Sequence, residues 1–249
     1  MRIISVVNQK GGVGKTTTVI NLGAALAKQG KSVLVVDLDP QANSTSGLGI
    51  PKTQINSSVY EVLFEPQSAS QAVIDHHTGM KVIPSKPDLA AADLELANEL
   101  NRERRLAEAL DNFSVDYVLI DCPPSLGLLT INALTAATDV IIPVQAEYYA
   151  LEGLSQLLNT IQRVRQALNP DLAIGGVLLT MVDERTTLSK QVQDQVATHF
   201  QDLVFETYIP RNVRIAEAPS HGQTVEEHDK WSKGARAYKA LAKEVINRG

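Results

Sequence analysis

Apolar residues fall in short, nearly continuous runs: Ile3-Ile4-Ser5-Val6-Val7, Val33-Leu34-Val35-Val36, Val82-Ile83-Pro84, Tyr117-Val118-Leu119-Ile120, Val140-Ile141-Ile142-Pro143-Val144, Val177-Leu178-Leu179 and Val204 to Ile209. A strand wet on one face would alternate, so unbroken runs predict strands covered on both faces. Between them the apolar spacing changes to three and four. Ile20, Leu22, Ala25 and Leu26 mark one face of a helix of about 14 residues that closes at Gln29-Gly30-Lys31. Leu151, Leu154, Leu157, Leu158, Ile161, Val164 and Leu168 predict a second helix packed on the core. A third is expected from Asp88 to Asn112, with Arg102-Glu103-Arg104-Arg105 on a solvated face and Arg104 paired with Glu108. Ala235, Tyr238, Leu241, Ala242, Val245 and Ile246 predict a C-terminal helix docked on the body, whereas Thr45 to Ser58 reads as a polar loop. This alternation predicts an α/β fold: a doubly wound, mostly parallel β-sheet flanked by helices, with ligands outside the carboxyl ends of the strands.

Composition narrows the class. The chain has 249 residues, 44% of them hydrophobic, enough to bury roughly 70 to 75% of the unfolded surface without staples. Cys122 is the single cysteine, which excludes an intrachain disulfide and a Cys-only cluster within one chain. No apolar run approaches the roughly 18 residues of a membrane span, and strand residues begin at Ile3, so a cytoplasmic protein is expected. A net charge of −5 argues against strong constitutive nucleic-acid binding and leaves room for a local basic patch. Cys122 reads as a small buried hydrophobe, His76-His77 as a surface loop, and Trp231 as a helix anchor or an interface residue.

The chemistry concentrates after the first strand, in Gln9-Lys10-Gly11-Gly12-Val13-Gly14-Lys15-Thr16-Thr17-Thr18. A glycine loop between strand and helix turns backbone N–H groups and the positive helix end toward one anion. Lys15 is placed to reach terminal phosphate oxygens and the Thr16 hydroxyl to reach Mg²⁺. The ordinary phosphate loop carries Gly where this chain has Gln9, and here a second lysine, Lys10, opens the loop. Asp37, Asp39 and Asp121 fall at strand ends, where carboxylates beside an anion require a divalent cation between them. Asp121 suits a metal-site aspartate that holds Mg²⁺ through water. Asp39, stiffened by Pro40, is placed either to orient an attacking water or simply to make the turn.

With Asp37-Leu38-Asp39-Pro40-Gln41, Ile120-Asp121-Cys122-Pro123-Pro124-Ser125, Glu147 to Gly153 and Ile209-Pro210-Arg211-Asn212-Val213-Arg214, the chain resembles the ParA/Soj branch of the deviant Walker ATPases, chromosomal Soj-like type, over essentially its whole length. The resemblance implies one P-loop ATPase domain over 1–249, of the deviant Walker (SIMIBI) kind, using ATP and Mg²⁺ with weak intrinsic hydrolysis. It implies that Lys10 crosses a nucleotide-sandwich homodimer to the partner subunit's ATP, and that Lys10, Lys15 and Asp39 are the catalytic set. Gly11, Gly12, Val13, Gly14, Thr16 and Thr17 complete the phosphate site; Thr180, Met181, Pro210, Arg211 and Asn212 surround the adenine; and Thr16, Asp39 and Asp121 serve the metal. Arg185 and Arg214 match DNA-contacting arginines, with Lys233 and Arg236 as further basic candidates for nonspecific double-stranded DNA.

The implied function is DNA partitioning. An ATP dimer binds the nucleoid, and a ParB-type centromere-binding partner releases it by stimulating hydrolysis. The alternatives are a MinD-like membrane-associated or other cargo-positioning ATPase, a dethiobiotin synthetase-like ligase, and a nitrogenase-reductase-like redox protein, whose intersubunit cluster needs two cysteines per chain where one is present. The chain stops at Asn247-Arg248-Gly249 without a basic amphipathic extension, so no membrane partner is expected. With two residues ahead of the first strand, no N-terminal DNA-reading domain is expected either.

Overall fold

The computed structural model describes residues 1–147 and 154–248. Among these described residues seven strands form one sheet: β1 (Arg2–Val6), β2 (Val33–Asp37), β3 (Ile74–Asp75), β4 (Lys81–Ile83), β5 (Tyr117–Asp121), β6 (Asp139–Gln145) and β7 (Ala173–Thr180). Their order is β3-β4-β2-β5-β1-β6-β7, parallel throughout except for the β3–β4 hairpin. The helices are α1 (Lys15–Lys28), α2 (Asn43–Gly47), α3 (Val59–Phe64), α4 (Ala92–Glu95), α5 (Arg105–Leu110), α6 (Leu128–Ala136), α7 (Leu154–Ala167), α8 (Thr187–Phe200), α9 (Val213–Glu217), α10 (Val225–His228) and α11 (Lys233–Asn247).

The unbroken apolar runs are explained by a core on each face. In β5, Tyr117 and Leu119 point into the core that α1 and α11 cover, while Val118 and Ile120 point into the one beneath α3, α5, α6 and α7. Each fully buried aliphatic side chain contributes about 1.5–3 kcal/mol, so neither face of a central strand tolerates a polar residue without a partner. The α1 helix ends as expected, with Gly30 at φ 80° just beyond the cap residue Gln29. In α11, Tyr238 is buried with its hydroxyl 3.5 Å from that of Thr18, which fixes the last helix on the first. Because β1 lies between β5 and β6, the loop after β1 opens where the sheet changes direction, and ligands bind at such a point.

Five local expectations are corrected. The stretch from Asp88 to Asn112 is not one helix: α4 and α5 are separated by 3₁₀ turns and by Asn101 at φ 55°. The Arg102 side chain donates to the Ala97 carbonyl (2.5 Å) and Arg105 to that of Leu100 (3.1 Å), doing there what a continuing helix would have done. Arg104 does not pair with Glu108 but donates to the Leu168 carbonyl, 3.3 Å away. Val204 to Ile209 is not a strand: it meets β7 at one isolated bridge, Val177–Val204, and through the Phe205 and Ile209 N–H groups, which donate to the Val177 and Leu179 carbonyls (3.0 and 2.8 Å), while the Glu206 and Thr207 N–H groups donate to the Glu244 carboxylate (2.8 and 2.9 Å) instead of a strand. Within Thr45 to Ser58 the chain completes α2 and makes a 3₁₀ turn at Lys52–Gln54. His76 is half-buried rather than a free surface residue, with Nε2 2.8 Å from the Leu48 carbonyl. The predicted helix position Leu151 and motif residues 148–153 lie outside the described residues.

Candidate functional site

The loop after β1 is braced at both ends. Asn8 is buried; its amide donates to the Pro143 carbonyl on β6 (2.7 Å), and its oxygen accepts from the Lys10 N–H (3.0 Å). At the other end, the Thr180 hydroxyl at the tip of β7 donates to the Val13 carbonyl (2.8 Å). Gly12 and Gly14 have φ 74° and 91°, a left-handed backbone that side chains disfavour. Gly14 caps α1 without any side-chain hydrogen bond, so the first-turn N–H groups remain available to an anion.

The acidic groups converge beside this loop. Asp121 is fully buried at the end of β5; its Oδ2 accepts from the Ser44 hydroxyl at 2.7 Å, and its Oδ1 has no partner. Burial holds its carboxyl above the ordinary carboxylate range, against the hydroxyls of Ser44 and Thr16, which favour the ionised form. Asp37, its register neighbour on β2, is likewise raised by burial and then by the charge of Asp121. Lys15 is buried with its ammonium 3.3 Å from the Lys10 carbonyl; burial lowers its pKa, opposed by the charges of Asp121 and Asp39. Asp39 accepts from the Gln41 N–H (2.9 Å), so its carboxylate is held over the turn rather than swinging free.

Lys15 and Asp39 face a cleft of about 490 Å³ lined also by Gly11, Gly12, Gly14, Thr16 and Thr17, with Gln41, Asn43, Ser46, Pro124, Met181 and Pro219 among its other walls. Among the described residues no trio of His, Cys, Asp or Glu could cage a metal ion. A partly hydrated Mg²⁺ carried by phosphates needs less, a hydroxyl and a carboxylate oxygen, and Thr16 with the unpartnered Asp121 oxygen fits that need.

A second cleft, of about 680 Å³, is lined by Arg185, Arg211, Lys233 and Arg236 together with Asp183, Glu184, Tyr208 and Pro210. Pro210 and Arg211 therefore line this cleft and not the first, whereas Asn212 caps α9 by accepting from the Arg214 N–H (2.9 Å). Arg211 pairs with Glu147 (3.0 Å), and Arg214 with Glu217 (2.9 Å) and Asp229 (3.6 Å). Arg185 is 88% exposed and its guanidinium holds the Asp183 carboxyl down at about 2. Gly234 lets α11 meet α9, since a Cβ there would lie 2.5 Å from Ile215, so Arg214 sits on an element packed against the basic end of α11.

A family described as an AAA domain matches residues 1–174. The sporulation initiation inhibitor protein Soj of Bacillus subtilis is 55% identical over 252 residues, covering 100% of this chain and 99% of its own length. The chromosome partitioning protein ParA of Caulobacter vibrioides is 51% identical, covering 100% and 95%. The chain belongs to the ParA/Soj family of chromosome-partitioning ATPases. A crystal structure described as cobyrinic acid a,c-diamide synthase from Mycobacterium smegmatis with bound ATP analogue and magnesium superposes on the chain with TM-score 0.87 at 43% identity, covering 99% of this chain and 95% of that one. Reasoning from the ParA/Soj motifs alone misses Asn8, Ser44 and Ser85, all buried polar groups that hold motif residues. Asn8 carried a legible signal as a polar residue directly after an apolar strand; Ser44 and Ser85 carried none.

Proposed function

We propose that this chain is a single P-loop ATPase domain that binds Mg²⁺·ATP in the first cleft, hydrolyses it slowly, and alternates between a free and a DNA-bound state. The observation that carries the reading is the convergence of the uncapped α1 terminus, Lys15 and Thr16 at one cleft, with the wholly buried Asp121 carboxyl near enough for its charge to act on Lys15 and for the Thr16 hydroxyl to act on it. The loop N–H groups and the Lys15 ammonium take the phosphate charge. Thr16 and Asp121 would hold the metal, which would supply charge neutralisation to the phosphates. Asp39 orients the attacking water. Lys10, whose backbone is fixed by Asn8, presents its ammonium to the ATP of a second subunit, so that charge neutralisation requires dimerisation.

DNA contact is assigned to Arg185, Arg214, Lys233 and Arg236. Three of them line one cleft, at a helix start that has basic and no acidic residues in its first turn, so the helix dipole and the side chains attract the same phosphates. A homodimer doubles this surface, which is how a chain of net charge −5 gains DNA affinity only with ATP. The dimer then associates with the nucleoid until a ParB-type partner stimulates hydrolysis. Electrophoretic mobility shift on nonspecific duplex with ATP, ADP or no nucleotide, at two salt concentrations, tests this. ATP-only, salt-sensitive retention is expected, and retention indifferent to nucleotide refutes it. The 43% identity to a protein named as a synthase supports a second reading, ATP-driven activation of a small carboxylate. It requires turnover that depends on such a carboxylate and not on DNA.

A further inference from the structure

Behind the first cleft lies a closed ring of hydrogen bonds that none of the motif roles accounts for. Asp37 ends β2 with its side chain wholly buried, and it does not line the cleft. Its Oδ1 accepts from the Asp39 N–H (3.3 Å), and its Oδ2 accepts from both the N–H (2.8 Å) and the hydroxyl (2.7 Å) of Thr45 in α2. The Thr45 oxygen in turn accepts from the Ser85 N–H (2.9 Å), and the Ser85 hydroxyl donates to the Asp39 carbonyl (2.8 Å). The ring therefore leaves Asp39 at its N–H and returns to it at its C=O. Both of its peptide groups are held from the sheet side, by a strand end and by the residue two beyond β4.

Three donors converge on Asp37, and only a side chain that is acceptor at every contacting atom satisfies them all. An asparagine would turn an NH₂ toward one of them. A carboxyl group in a position that touches no solvent is costly unless its partners require it, and here each partner belongs to the segment that carries Asp39. Ser44, beside Thr45, donates to Asp121, so the same turn of α2 sets Asp39 and Asp121 relative to each other.

We propose that Asp37, Thr45 and Ser85 are positioning residues for ATP hydrolysis, fixing the peptide of Asp39 so that its carboxylate keeps its aim on the attacking water without any of the three touching nucleotide. The inference rests on the assignment of Asp39 made above. Misplacing a reacting group by about 1 Å costs up to roughly 100-fold in rate, so a ring that sets a backbone to that tolerance belongs to turnover rather than to affinity.

Thr45→Val keeps the volume and the N–H but removes the hydroxyl, breaking the ring at two bonds; Thr45→Ser keeps the hydroxyl. Steady-state Mg²⁺·ATP turnover of both, beside wild type, Asp39→Ala and Ser85→Ala, is the test, with urea midpoints to confirm folding. Thr45→Val should lower kcat about 10- to 100-fold with KM for ATP within about 2-fold, and Ser85→Ala should move the same way. Thr45→Ser should stay within about 3-fold of wild type. If Thr45→Val leaves kcat intact, raises KM alone, or is matched by Thr45→Ser, the inference is overturned. Should Thr45→Val not fold, Ser85→Ala decides on the same criteria. Absence of turnover in wild type, or wild-type turnover in Asp39→Ala, would instead overturn the assignment of Asp39 and the inference with it.

Discussion

Gly222→Ala is a severe perturbation for its size. Gly222 closes the 3₁₀ turn that begins at Ala218 and stands at φ 63°, and a Cβ added to it would lie 2.7 Å from the Cα of Gly49, itself at φ 70° just after α2. Two backbones touch there, so no flexible side chain can yield. The left-handed conformation alone costs an L-residue about 1–2 kcal/mol. Forcing the backbones apart adds an overpacking cost of about 1–3 kcal/mol, for a total of roughly 2–5 kcal/mol. Gly79 and Gly30 provide the controls. They stand at φ 87° and 80° with nothing within 4 Å of an added Cβ, so each alanine should cost only the conformational share. Urea unfolding of the three variants should therefore separate Gly222→Ala from the pair by about 1–3 kcal/mol. The contact joins α2 to the turn bearing Pro219, and both wall the first cleft. Gly222→Ala should accordingly weaken nucleotide binding, while Gly30→Ala leaves it unchanged. Equal costs at all three glycines would refute the reasoning.

Further outcomes follow from the charged groups. His76 has its pKa lowered by burial, only partly offset by the Leu48 carbonyl. The unfolded chain therefore takes up a proton below about pH 6.5 that the folded chain declines, and stability falls as pH drops through that value. His76→Gln should flatten this fall in thermal melts; superimposable pH profiles would show that the ring is not desolvated. Arg185→Ala and Lys233→Ala should each reduce the slope of log affinity against log salt by about 1 for nonspecific DNA. An unchanged slope removes that residue from the interface.

Much of this molecule is legible in its sequence, for identifiable reasons. Continuous apolar runs suit strands buried on both faces, so β1, β2, β5, β6 and β7 and the layered α/β architecture are expected from them. The α1 boundaries followed from the glycine loop before it and Gly30 after it. Where the chain satisfies its backbone through distant side chains, local pattern was blind. The arginines that close the carbonyls of residues 97 and 100 broke the expected long helix, and Glu244, some 38 residues away, captured the N–H groups that would have made Val204 to Ile209 a strand. The same holds at the site. Lys15 and Thr16 of one motif and Asp39 of the next gather at the cleft, but Ser44 and Ser85 matter through partners far along the chain, Asp121 at the end of β5 and the Asp39 carbonyl. Pro210 and Arg211 share a motif with Arg214, yet their neighbours are the basic residues of the second cleft.

The central claim is that ATP, read by Lys15 and by a second subunit's Lys10, converts a monomer into a dimer. Sedimentation velocity of Asp39→Ala measures this most directly, because that variant should hold ATP without consuming it. With Mg²⁺·ATP its mass should double, while with ADP, or in Asp39→Ala combined with Lys10→Ala or Lys15→Ala, it should remain that of one chain. A dimer that forms equally with ADP, or that persists without Lys10, would contradict the account.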